Sequence, residues 1–135
     1  MSSVELRRDV LILACAISAG IHGALVPHHF AEGTGAGVGF VVASALLAAL
    51  VVAVTLRPAS ALALAGAAII LLGLLASYLL ATTTGLPVLH PEPEPVDGLA
   101  VATKAIEAAG LLAALQLLRR GRPAVIANVP QPKGT

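Results

Sequence analysis

Aromatic side chains are nearly missing from this chain: one tyrosine, two phenylalanines and no tryptophan in 135 residues. The full Trp and Tyr belts that mark many membrane–water boundaries are therefore excluded, and Phe30 and Tyr78 are the candidates for such anchors. Cys15 is the sole cysteine, so no disulfide framework can form within the chain. With one cysteine and one methionine, the soft ligand sets that select Cu(I) are excluded as well. Charge is also scarce. Charged residues make up 11% of the chain, against roughly 25% in soluble domains, which leaves too little polar surface to clothe a soluble core. The formal net charge of +1 offers no electrostatic footprint for nucleic acid, and no nucleic-acid partner is expected.

What is present is apolar length. Apolar residues are 58% of the chain and the mean hydropathy is +0.95. Four runs stand out, at about residues 10–26, 37–56, 59–80 and 99–118. A bilayer span needs about 20 apolar residues. The last three runs meet that length, and the first does so with help from its flanks. Backbone polar groups have no partners in lipid unless they are paired internally, so each run predicts a helix. The expected fold is all-α: a four-transmembrane-helix bundle over residues 1–120 as a single domain, with residues 121–135 as a tail.

Two loops are expected on one side, Pro27–Ala36 and Ala81–Gly98, and a near-direct Arg57-Pro58 turn on the other. Pro58 suits the first turn of the third helix. His90-Pro91-Glu92-Pro93-Glu94-Pro95 predicts a stiff, polyproline-like segment. The tail, with three prolines and two glycines from Gly121 onward, reads as a disordered or partner-held extension. Arg7, Arg8, Arg57, Arg119, Arg120, Arg122 and Lys133 share one side, and the two opposite loops contain no lysine or arginine. The positive-inside rule then places both termini in the cytoplasm, N-in and C-in, in a plasma (inner) membrane. Arg7-Arg8 ahead of an apolar run also resembles a secretory signal. However, the stretch before Cys15 is only Val10–Ala14, shorter than the ~7–15 residues a signal core needs, so the plain anchor helix is the reading kept.

The polar residues are segregated. His22, His28, His29 and His90 all fall in the outer half, as do Glu32, Glu92, Glu94, Asp97 and Glu107. Glu107 sits near the middle of the fourth run, with Lys104 one turn further out. An ionisable group at that depth should face the bundle interior and find a partner. Helical spacing puts Ala14, Ser18 and His22 on one face, and Ala100, Thr103, Glu107, Gly110 and Ala114 on another. The plain account of Glu107 is a buried pair with Lys104 or His22. The chemical account is a metal site: His22, His28, His29, Glu32, His90, Asp97 and Glu107 supply imidazole and carboxylate donors suited to Zn or Cu(II). Beyond Pro27, His28 and Glu32 share a face only if helix resumes there. Haem would want two axial histidines at matched depth, and only His22 lies within a span. Ser18 lies one turn from His22 but has no evident oxyanion donors, so no triad and no catalytic residue is assigned.

Several motifs recur together: His22; Pro27-His28-His29-Phe30-Ala31-Glu32; Arg57-Pro58; Thr84-Gly85-Leu86-Pro87; Glu94-Pro95-Val96-Asp97; and Glu107. In these, from the first run up to Leu118, the chain resembles a loose group of small four-helix membrane proteins common in actinobacteria. Thr83 stands where that group carries an arginine. The resemblance implies the four-helix fold and points at these residues without implying a reaction.

Three functions fit. The first is a membrane protein whose outward-facing His/carboxylate cluster binds a divalent metal ion, Zn or Cu. The second is an accessory subunit of a larger membrane complex, with other membrane subunits or a second copy as partners and the polar cluster serving packing. The third is a transporter or proton relay through Glu107 and His22.

Overall fold

In the computed structural model, which describes residues 1–86 and 93–121, the protein is an up-and-down bundle of four helices. These are α1 (Ser3–Glu32), α2 (Thr34–Leu56), α3 (Ala61–Thr83) and α4 (Gly98–Arg120). Helix α1 packs on α2 and α4, and α3 packs closely on α4 and more lightly on α2. The ring of helices therefore closes. All four are long and apolar enough to cross a membrane. At ~1.5 Å rise per residue, α2 to α4 are each about 35 Å long and α1 about 45 Å, against a hydrocarbon layer of ~30 Å. The chain is thus a small multi-pass membrane protein.

Helix α1 differs most from expectation. It runs on to Glu32, where a loop from Pro27 to Ala36 is expected, and Pro27 lies inside it. Proline lacks the N–H that would bond the carbonyl four residues back, and its ring crowds that carbonyl. The residue four back is Gly23, whose missing side chain makes room for Ser44 of α2, 3.1 Å from where a Cβ would stand. The loop shrinks to Gly33 alone. Its N–H bonds the His29 carbonyl at 3.0 Å, and its own carbonyl accepts from Gly37 N at 3.1 Å, so one extended residue closes α1 and opens α2. At the other end of α1, Ser2 and Glu5 form a reciprocal capping box.

The α2–α3 connection is as short as the sequence implies, but Pro58 is not in the helix. Ser60 N bonds the Arg57 carbonyl at 3.0 Å, which closes a turn with Pro58 in its favoured second position. Ser60 then caps α3 by accepting from Ala63 N. After α3, Gly85 takes φ 73°, the left-handed conformation that glycine reaches without penalty at a helix C-terminus. Asp97 caps α4, its carboxylate accepting from Ala100 N at 2.8 Å.

Burial is lopsided along the bundle. Leu11, Leu47, Val54, Leu64, Leu71 and Leu117 form a tight cluster with Cys15, Ala67 and Ala114. All lie in the half nearer Arg8, Arg57 and Arg120, which is the arginine end. The other half, the histidine end, is hollow.

Candidate functional site

The floor of the hollow half is set by helical period. Ser18 and His22 are one turn apart on the buried face of α1, and Thr103, Glu107 and Gly110 follow one another on that of α4. Gly110 and Ala14 allow the approach: a Cβ on Gly110 would stand 2.8 Å from Ala14 Cβ. Two small residues thus let α4 close on α1 just below the polar layer.

Glu107 is fully buried. Its Oε1 accepts from Ser18 Oγ at 2.6 Å, and its Oε2 accepts from Lys104 Nζ at 2.7 Å. His22 Nδ1 lies 4.0 Å from the same Oε1 and 2.9 Å from the Ser18 carbonyl oxygen. A carbonyl only accepts, so His22 carries a proton on Nδ1, and in the neutral ring the lone pair is on Nε2. The expected partnership of Glu107 with Lys104 and His22 is present, and Ser18 completes it. Lys104 also stands 5.6 Å from the centre of the Tyr78 ring, within cation–π range.

Above this floor is a cavity of about 600 Å³ between the four helices. Its walls are mostly aliphatic. Its polar lining is His22, His28, His29, Glu32, Glu94, Asp97, Thr103, Lys104, Ser77 and Tyr78. At the rim, Glu32 Oε2 accepts from His29 Nδ1 at 2.6 Å, and its Oε1 lies 3.2 Å from His28 Nε2 without a hydrogen bond. The His29 ring stacks on Phe40 with centroids 3.6 Å apart, and Phe40 also flanks His22 at 5.2 Å. The Tyr78 hydroxyl is buried without a hydrogen-bond partner among the described residues.

Comparison with protein-family models, with curated proteins and with solved structures finds no match to this chain. The site must be judged on its own chemistry.

Of the seven residues proposed as metal ligands, six are placed and divide into separate sets. His22 and Glu107 belong to the floor. His28, His29 and Glu32 gather at the rim, where His29 bonds Glu32. Asp97 lines the cavity but spends one oxygen on the α4 cap. His90 lies outside the described residues, as do the polyproline-like expectation at residues 91 and 92 and the tail from residue 122. Among the described residues, no group of three or more His, Cys, Asp or Glu side chains could hold a metal ion.

Phe40 is the cavity-lining residue that sequence reasoning misses. Its signal is its rarity, as one of two phenylalanines, and its place two turns into α2 opposite the histidines of α1.

Proposed function

We propose that this protein is a membrane-embedded binding protein whose cavity takes up a small organic cation, an amine with an apolar body, from the histidine side of the membrane. The carrying observation is the mismatch between aliphatic walls and acidic lining. Glu32, Glu94 and Asp97 line the cavity, while its one lysine is already matched by Glu107. A pocket of this volume with a few convergent polar groups suits a small ligand. The Tyr78 hydroxyl, without a partner among the described residues, adds a polar contact. The positive-inside asymmetry supports placing the arginine end in the cytoplasm and the cavity mouth outside. The resemblance to the actinobacterial group supports the fold and this choice of residues. An inorganic divalent ion, Zn or Cu, is the competing occupant, and it requires the rim histidines to turn their lone pairs inward.

The test is a stability titration of the purified protein in maltoside micelles. Alkylamines should raise Tm, and alkyl carboxylates of equal length should not. Glu32→Gln with Glu94→Gln should remove most of the amine effect. If amines and carboxylates act alike, the organic-cation reading fails. A Zn effect abolished by His28→Ala and His29→Ala would make the metal the occupant. Stoichiometric copurification of another membrane protein, with no small-molecule effect at all, would return the bundle to an accessory role.

A further inference from the structure

The arginine end carries a second concavity, of about 400 Å³, between the first turns of α1, the α2–α3 turn and the last turn of α4. Its walls include the apolar side chains of Val4, Leu64 and Leu117, and Arg8 and Arg120 also line it, one from each of two helices. Neither guanidinium is saturated among the described residues. Arg120 donates to Ser3 Oγ at 3.1 Å. Arg8 reaches its sequence neighbour Asp9 at 3.4 Å, a long contact for a charge-assisted bond. Glu5 is the one carboxylate among the lining residues, and it is turned back on its own chain, where Oε2 accepts from Ser2 N at 2.6 Å. Helices α1 and α3 begin at this end and α2 and α4 finish there, so the helix dipoles offset one another and the arginines carry the positive charge of the concavity.

We infer that this concavity binds the phosphate of an anionic phospholipid headgroup. Two guanidinium forks from different helices match a phosphate's several oxygens better than a single carboxylate. Depth selects a lipid over a soluble phosphate. The pocket lies at the ends of helices about as long as the hydrocarbon layer, where headgroups sit. Basic pockets between helices at that level are suited to anionic headgroups. Leu64, Leu117 and Val4 then meet the glycerol and the start of the acyl chains. This inference does not depend on what occupies the cavity at the other end.

The experiment uses the full chain, delipidated in maltoside micelles and titrated with dioleoylphosphatidylglycerol or dioleoylphosphatidylcholine. Bound lipid is counted by native mass spectrometry and Tm is followed in parallel. Phosphatidylglycerol should be retained at one molecule per chain and raise Tm, and phosphatidylcholine should do neither. Arg8→Gln combined with Arg120→Gln should cut retention at least tenfold. Arg119→Gln, at the same end but outside the concavity, should leave it unchanged. If the double variant does not fold, Arg8→Lys and Arg120→Lys carry the test singly: each keeps the charge, loses the fork and should weaken retention. Equal retention of the two lipids overturns the assignment. So does equal loss in the Arg119 variant, which would indicate general surface charge, or an equal Tm rise with inorganic phosphate alone.

Discussion

A carboxylate at mid-bilayer depth persists only when its lone pairs are taken, and at Glu107 they are. Ser18 and Lys104 each donate to one oxygen, and His22 stands behind. Removing one partner of a buried pair strands the other charge, which costs about 3–5 kcal/mol. Lys104→Met and Glu107→Leu should each destabilise the bundle on that scale. The double variant should cost clearly less than the sum, because neither charge is then stranded. Reversible unfolding in mixed micelles reads this cycle, and strict additivity would show that the pair carries no coupling. Ser18→Ala removes a single hydrogen bond and should cost about 1 kcal/mol. Most of this floor was legible beforehand, since period alone sets Ser18 and His22 on one face and Glu107 and Gly110 on another. The Phe40–His29 stack was not, because it depends on how α2 rotates against α1, and helix period fixes no rotation between helices.

At the scale of elements, the tightest joint is α1 against α4. Gly110 has Ala14 Cβ and Leu71 Cδ1 within 3.2 Å of where its own Cβ would stand. The Ala14 Cβ is attached directly to backbone and cannot swing aside, so α4 itself must move. Gly110→Ala should therefore destabilise by about 1–3 kcal/mol, despite alanine's better helix propensity. Gly20→Ala, at an open position on α1, should be neutral or mildly stabilising. A Gly110→Ala protein as stable as wild type would mean that the helices do not meet as described. Helices α2 to α4 begin and end within about three residues of their apolar runs, because a span has to match the layer it crosses. The far end of α1 was hidden by two signals that usually agree. Pro27 and the Gly33-Thr34-Gly35 stretch both read as loop, yet the helix carries Pro27 within it and Gly33 alone makes the turn.

At the scale of the molecule, the described residues make a solid arginine half and a hollow histidine half. The plug of Leu11, Leu47, Leu71 and Val54, each at most 1% exposed, separates the floor from the arginine end. This plug favours the proposed uptake and holding over conduction. It also allows a sharp test of orientation, because the only native cysteine, Cys15, is 1% exposed in that plug and should be silent to soluble thiol reagents. Single added cysteines then report without background. Glu94→Cys at the cavity mouth should react with a membrane-impermeant maleimide applied to intact cells. Ala59→Cys, in the exposed α2–α3 turn, should react only after the membrane is opened. Ser77→Cys, which lines the cavity, should react from outside if water fills the hollow, and a bound amine should slow it. Labelling of Ala59→Cys but not Glu94→Cys in intact cells would invert the topology. The cavity would then face the cytoplasm, and the proposed ligand would have to be sought there.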